Sequence, residues 1–489
     1  MTMKSFFREI NFTLIARIIG FLLIIEAVFM LSVVPVGWYY HGYQSYAMLI
    51  AAVTTLVSGL LMFLFNRKTT NILGKREGYI IVTLSWIITS FYGALPFYLA
   101  GDIPSFTDAF FETMSGFTTT GSSILTDIES FPKDLLFWRS LTHWLGGMGI
   151  IVLSVAILPM LGIGGMQLFM AEMPGITYDK LHPRITSTAK RLWGIYVLLT
   201  LLQFLFLWAG EMDWFDAINH SFATMATGGF STRNSSVAAF GSYSQYVMIV
   251  FMILAGTNFT LHYFALHGRL KQVFKDEEYR GYLLLIFLST IIITIGLILA
   301  DNGSWELHFR EALFTVVSIL TTTGFVTVNY LNWPVFLYMI IFLLMFVGGS
   351  AGSTGGGMKV VRQMLLIKNS WMELKRSIHL NAVLPVKFNN KSVPQDIIYK
   401  VMAFFLMYIL IFAFGVLALS ALGLNFETSV GASIASLGNI GPGIGLVGPI
   451  DNYAFMPDAA KWVLSAMMML GRLELFTVLM LFSPHFWRK

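Results

Sequence analysis

Residues 108–121 read DAFFETMSGFTTTG, and the arrangement returns as DAINHSFATMATGG at 216–229, EALFTVVSILTTTG at 311–324 and ETSVGASIASLGNIG at 427–441. From the leading carboxylate (Asp108, Asp216, Glu311, Glu427) to the closing glycine (Gly121, Gly229, Gly324, Gly441) the steps are 13, 13, 13 and 14 residues. A carboxylate favours a helix N-terminus. About ten helix-compatible residues follow, and a threonine- and glycine-rich stretch then stops the helix. Helices this short cannot cross ~30 Å of hydrocarbon. Each segment therefore reads as a short re-entrant helix followed by an extended loop. Four amphipathic surface helices with ordinary glycine C-caps are the alternative, but such caps need not recur at constant spacing in four corresponding loops.

What flanks these segments is apolar. Of 489 residues, 56% are hydrophobic and 12% charged, about half the charged share of a soluble protein. The length alone would allow three or four soluble domains, and this composition excludes them. With no cysteine, disulfide scaffolds, thiolate metal sites and cysteine nucleophiles are excluded too. Runs long enough to span lie near 18–34, 46–65, 79–100, 137–161, 192–209, 244–266, 281–300, 332–350, 400–422 and 462–483, ten in all. The first is longer than a signal-peptide core and lacks a small-residue cleavage site, so it reads as a retained span. With the N-terminus inside, 25 of the 31 lysines and arginines fall on one side. That asymmetry supports both the span count and cytoplasmic N- and C-termini. A net charge of +5 thus reflects topology, and no nucleic-acid partner is expected.

The expected fold is an all-α polytopic membrane protein. Two extra N-terminal transmembrane helices (1–70) precede four pseudo-symmetric span–pore-helix–span repeats at 71–185, 186–275, 276–380 and 381–489. Four such units around one axis aim four helix C-termini, the negative dipole ends, at one point. Their loops bring carbonyl and threonine oxygens together, and a ring of neutral oxygens that replaces an ion's water shell is the physics of a potassium-type filter. Irregular backbone at membrane depth survives only in such a cavity or packed in protein.

Two further features stand out. Residues 348–357 read GGSAGSTGGG, with glycines at 348, 349, 352, 355, 356 and 357, too many for a stable helix interior at ~1 kcal/mol each. The segment lacks the order of a phosphate-binding P-loop. A flexible linker is the other reading, but apolar residues run into it and MKVVRQMLLI follows, which places it at membrane depth. Arg472 sits mid-way along the run Trp462–Phe482, too deep to snorkel. Such an arginine faces a cavity or a buried partner; Glu474 points elsewhere, and Glu26 is the candidate carboxylate.

TMSGFTTTGSS, WRSLTHWLGGMGIIV (138–152), MATGGFST, ILTTTGF and GGSAGSTGGGMKVVR (348–362) resemble the hallmarks of the Trk/Ktr/HKT superfamily of potassium transporters. The likeness covers about 77 to 483, and the two additional spans are similar to the bacterial TrkH/TrkG branch, which implies a bacterial inner (plasma) membrane location. Carried over by position, it implies a potassium filter of Thr118, Thr119, Thr120 and Gly121; Ala226, Thr227, Gly228 and Gly229; Thr321, Thr322, Thr323 and Gly324; and Gly438, Asn439, Ile440 and Gly441. ATGG in the second loop and GNIGP in the fourth depart from TTTG, and Pro442 removes a backbone donor. Serine at the first filter glycine goes with sodium transport in plant relatives, so Gly121 implies potassium. The resemblance makes 348–358, with Gly348, Gly349, Gly352, Gly355, Gly356 and Gly357, an intramembrane gate loop below the filter, and sets Arg472 beside the pathway. It also implies a homodimer and association with a ring of cytosolic nucleotide-binding regulatory subunits. The basic stretch 359–400 is either a docking segment for them or a solvated anchor.

The nine histidines show no metal spacing. His143 reads as packed at a helix contact, and GGMG (146–149) as a site of close helix approach. A secondary transporter with alternating access usually shows inverted repeats, whereas these four units face one way. A membrane enzyme would need paired metal motifs or an activated serine, which do not appear. Sodium or proton symport stays open, because no residue is a decisive coupling site.

Overall fold

The computed structural model describes residues 10–40, 45–66, 74–149, 185–301, 303–379, 382 and 384–487. Lys4, Arg8, Arg67, Lys68, Lys180, Arg184, Arg488 and Lys489, the second half of the span at 137–161, and both chain termini lie outside them.

Helices α1 (Phe12–Tyr39) and α2 (Ser45–Phe65) form the N-terminal pair. They meet closely where both carry glycine: a Cβ at Gly20 or at Gly59 would lie 2.8 Å from the other's carbonyl oxygen. Small residues let backbones approach in a membrane, where the hydrophobic effect does not drive helices together. At the end of α1, Tyr40 stacks on Trp214 at 6.0 Å.

Four units of one design follow. Each opens with a long helix: α3 (Lys75–Ala100), α6 (Ile185–Trp208), α11 (Glu277–Ala300) and α15 (Gln395–Ala421). Each continues into a short one: α4 (Phe106–Phe117), α7 (Trp214–Met225), α12 (Trp305–Leu320) and α16 (Phe426–Gly438). The return helices are α5 (Lys133–Trp144), α8 (Ser242–Ala255) with α9 (Phe259–Leu266) and α10 (Leu270–Lys275), α13 (Val335–Leu344) with α14 (Val360–Ile378), and α17 (Asp458–Arg472) with α18 (Phe476–Phe482) and α19 (Pro484–Trp487). Among the described residues six helices are long and apolar enough to cross a membrane, or eight if each bent pair counts as one span.

The return helices correct the sequence reading. The runs 244–266 and 462–483 were expected to be single spans. Instead α8 and α9 meet at 102°, and α17 and α18 at 116°. α5 passes into a π turn at Leu145–Gly149, and α13 ends at Leu344 ahead of the glycine segment. The return path is irregular at the π turn Leu145–Gly149, at Gly256–Asn258, at the glycine segment after Leu344 and at Leu473–Leu475, where Glu474 and Leu475 have positive φ. Glycines at or next to these places pack closely on other units. A Cβ at Gly146 would lie 1.8 Å from the Phe117 carbonyl, at Gly471 2.0 Å from that of Leu437, and at Gly147 2.8 Å from the Ala226 Cα. In GGMG, Gly146 thus packs on the end of the short helix α4, and Gly147 on Ala226 just past the end of the short helix α7. A two-stranded hairpin, β1 (Lys387–Phe388) with β2 (Lys391–Ser392), adds a little sheet to the helical fold.

Candidate ion pathway

The short helices start in one way. Ser105, Asp213, Ser304 and Asn425 accept the backbone N–H of Asp108, Asp216, Leu307 and Thr428 at 3.4, 2.6, 3.2 and 2.9 Å. Each satisfies one of the free donors at a helix start. An aromatic residue follows every cap: Phe106, Trp214, Trp305 and Phe426. In the third unit the cap at Ser304 starts the helix at Trp305, so the first-turn carboxylate is Glu306. Glu311, expected to open that helix, lies inside it.

The helices also end in one way, and the left-handed residue that closes each is not glycine. Thr119, Thr227, Thr322 and Asn439 adopt the left-handed conformation, with φ of 53, 56, 58 and 53°. Their N–H groups donate to Gly116, Thr224, Ile319 and Ser436 at 2.9–3.3 Å. The next N–H groups, of Thr120, Gly228, Thr323 and Ile440, reach back to Ser115, Ala223, Ser318 and Ala435 at 2.8–2.9 Å. This is the paired Schellman pattern, which usually has glycine at the left-handed position. For a residue with a Cβ that conformation costs roughly 1–2 kcal/mol. Strain of this kind persists where the surroundings over-determine it, and it clusters at functional sites.

Two residues on, Gly121, Gly229, Gly324 and Gly441 turn left-handed again, with φ of 83, 82, 81 and 95°, and close a ring. A Cβ at Gly121 would stand 2.2 Å from the Gly228 carbonyl oxygen, one at Gly229 2.1 Å from that of Thr323, and one at Gly324 1.9 Å from that of Ile440. One at Gly441 would stand 2.8 Å from that of Thr120. Each loop thus sets its third carbonyl against the glycine of the loop before it, and that of the first closes on the fourth. The four glycines surround one axis, and only residues without a Cβ allow this approach.

Side chains lock the ring differently from loop to loop. In the first, the Thr118 hydroxyl donates to Met114 at 2.6 Å and pairs with that of Thr120 at 2.8 Å. In the third, Thr321 donates to Val317 at 2.7 Å and pairs with Thr323 at 2.7 Å. Ala226 and Gly228 lack these hydroxyls. In the fourth loop Asn439 Nδ2 donates outward, to Thr120 Oγ1 at 3.0 Å and the Met468 carbonyl at 2.9 Å. Behind the first two loops lies a buried ion pair, Arg139–Glu112 at 2.6 Å. Glu112 also accepts the Ile124 N–H at 2.9 Å, and Arg139 donates to the Ser231 carbonyl at 3.0 Å. The pair therefore ties the exits of loops one and two together.

The glycine segment lies directly against the ring. The Gly356 N–H donates to Thr322 Oγ1 at 2.7 Å. The Thr354 hydroxyl donates to the Met225 carbonyl, at the end of α7, at 3.0 Å. A Cβ at Gly355 would lie 3.0 Å from the Thr321 carbonyl, and one at Gly356 2.7 Å from the Asn439 Cβ. Gly352 and Gly357 have φ of 74 and 61°, and Gly348 donates to Met358 at 2.8 Å across the base of the loop. Lys359 donates to the Gly355 carbonyl. Buried Glu278 staples the two ends, accepting from Ala351 at 2.7 Å and from Val361 at 3.1 Å.

Arg472 ends α17, and its guanidinium donates to the Thr354 carbonyl at 2.6 Å and to Gly146 and Gly147 at 2.8 and 2.6 Å. It joins the glycine segment to the π turn of the first unit. The Glu26 pairing considered from sequence does not form: its carboxylate oxygens make no hydrogen bond, and Oε1 lies 3.1 Å from where a Cβ at Gly93 would be. Glu474 pairs instead with Arg362.

Residues 44–489 match the family described as TrkH, a cation transport protein. The chain is 44% identical over 485 residues to the Trk system potassium uptake protein TrkH of Escherichia coli K12, across 98% of this chain and the whole of that protein. The chain belongs to the TrkH family. A second relative, the Trk system potassium uptake protein TrkG of E. coli K12, is 35% identical over 97% of this chain and 98% of its own. The crystal structure of the potassium transporter TrkH from Vibrio parahaemolyticus superposes with a TM-score of 0.88 at 40% identity, covering 98% of this chain and all of the other. Membership makes this an integral membrane transport protein, as the apolar runs and the repeat required. Sequence reasoning missed Glu112, Arg139 and Glu278. All three are buried ionisable residues in or beside apolar segments, and that placement was the available signal.

Proposed function

We propose that this chain carries potassium inward across the bacterial inner membrane, with both termini cytoplasmic. Residues Thr118–Gly121, Ala226–Gly229, Thr321–Gly324 and Gly438–Gly441 act as the selectivity filter. Potassium is the transported ion, and the four units at 71–185, 186–275, 276–380 and 381–489 each contribute one loop. The observation that carries this reading is the closed ring, in which the carbonyls of Thr120, Gly228, Thr323 and Ile440 stand against the glycines of neighbouring loops. Four helix C-termini direct their negative dipole ends at the same place, so a dehydrated cation finds neutral oxygens already in position.

The gate is the segment 348–358, with Gly348, Gly349, Gly352, Gly355, Gly356 and Gly357, held by Arg472. Its position against Thr321 and Thr322 supports an obstruction next to the filter, and the arginine's fixed charge raises the barrier for cations there. Opening requires the Arg472 bonds to Thr354, Gly146 and Gly147 to break. The working assembly is a homodimer, one pore per subunit, docked on cytosolic nucleotide-binding regulatory subunits. A relative described as a component of a Trk system supports partner subunits of this kind.

Reconstitution in liposomes tests the proposal, with potassium, rubidium and sodium flux followed under an imposed voltage and no other gradient. Potassium and rubidium flux well above sodium flux is expected. Flux that requires a sodium or proton gradient would replace the channel-like reading with symport.

A further inference from the structure

The second loop is the odd member of the ring. Its first and third positions are Ala226 and Gly228, where loops one and three carry paired threonine hydroxyls. Gly228 has no positive φ that would demand glycine. What demands it is the neighbour: a Cβ there would stand 2.3 Å from His143 Nδ1 and 2.5 Å from its Cγ. His143 comes from α5 in the first unit and is fully buried. Its ring stacks on Phe230, next after Gly229, at 3.9 Å and 16°, and Arg139 also lies against Phe230 at 3.5 Å. One turn on, Gly147 presses on Ala226. The second loop is therefore braced from outside, by a neighbouring unit, at the two positions where loops one and three brace themselves.

We infer that His143 is a specificity-determining positioning residue. Its imidazole occupies the space of the side chain missing at Gly228 and thereby sets where the Gly228 carbonyl stands against Gly121. This inference rests on the filter reading above. The ring acts by shape and stacking, so a planar apolar ring of similar size should substitute for it, whereas a small residue leaves a void into which the Gly228 peptide relaxes. A filter discriminates between potassium and sodium through the placement of such oxygens, so the expected signature is a changed ratio of ion fluxes.

The experiment compares His143→Ala, His143→Phe, Gly228→Thr and His143→Ala/Gly228→Thr in liposomes, with potassium and sodium flux measured under the same voltage. His143→Ala should lower the potassium-to-sodium ratio about fivefold or more, and His143→Phe should recover most of it. Gly228→Thr alone should cut potassium flux about tenfold, and adding His143→Ala should restore at least about a third of it, because the two changes exchange volume. If Gly228→Thr does not yield folded protein, the Ala and Phe variants of His143 decide. An unchanged ratio in His143→Ala, or both fluxes falling together, overturns the inference, as does a double variant no better than Gly228→Thr. Gly324→Ser serves as reference. A ratio that moves there but not at His143 sinks this inference alone, whereas one that moves at neither site sinks the filter reading itself.

Discussion

The ring of four loops and the glycine segment are both irregular backbone beside one another, but they are held by different means. In the ring, each left-handed threonine or asparagine is pinned by two backbone hydrogen bonds to its own helix, and each glycine is pressed against a neighbour's carbonyl. The glycine segment has backbone ties too, such as Gly348 to Met358 and Ser350 to Gly256. Among the described residues it adds charged side-chain ties that the four ring loops lack: Glu278 on Ala351 and Val361, Lys359 on Gly355, Arg472 on Thr354. A lock made of backbone on backbone has no alternative partner to switch to. A latch made of side chains releases when one side chain turns away. The first suits a site that must keep its dimensions as ions pass; the second suits a barrier that must open.

Four measurements break or sharpen this contrast. The largest effect is expected from alanine or serine at the ring glycines. The left-handed backbone alone costs such a residue roughly 1–2 kcal/mol, and the clash adds to it. Gly121, Gly229 and Gly324 variants should lose potassium-over-sodium discrimination by an order of magnitude or so, Gly121→Ser admitting sodium, while Gly441 variants lose least because their clash is 2.8 Å rather than 1.9–2.2 Å. Equal losses at all four positions, read as flux ratios in liposomes, would remove the ring's asymmetry from the account.

Arg472→Ala comes next. It removes three hydrogen bonds from a charged donor, each worth ~1.5–3 kcal/mol, together with the positive charge of the proposed gate, so cation flux should rise about tenfold with a smaller loss of selectivity. Flux unchanged at equal expression would take Arg472 out of the mechanism. Glu278→Gln keeps an acceptor but loses the charge, and basal flux should rise only a few-fold. A lower melting temperature without added flux would reduce Glu278 to a structural staple.

The smallest effect belongs to the exposed tie outside both regions. Asp127 accepts from Asn234 Nδ2 at 3.1 Å, and this bond, with help from Ser130, holds its carboxyl below the usual range. A carboxyl whose folded pKa is lowered adds stability above its unfolded pKa and loses it as pH falls through the folded one. Between pH 6 and 8 its contribution is therefore constant. Asp127→Asn should leave both flux and selectivity as they were, as measured in the same liposome assay over that range.

Much of the architecture was legible because it is written as repetition. Four acid-to-glycine segments at near-constant spacing need no tertiary information to be seen, and glycines at six of ten positions in 348–357 cannot be read as helix. The breaks at Gly256–Asn258 and Leu473–Leu475 were not legible. Apolar runs resume after each, so hydropathy averaged over a span runs straight through a bend of 102 or 116°. A single glycine in a span is too common to mark one. His143 was correctly read as packed, but its partner Gly228 lies 85 residues away, in the next unit, and nothing local couples them. The third short helix was misplaced at its start because Glu306 and Glu311 are equally good first-turn acids, and Ser304 decided between them through its cap.

Composition and the fourfold motif are properties of the chain as a string, so they determined by themselves the solvent and the number of loops. Which carbonyl faces which glycine, and which side chain fills the gap at Gly228, depends on atoms brought within 2–3 Å by units far apart along the chain. Contacts at that range are set by packing, and only the folded molecule decides them.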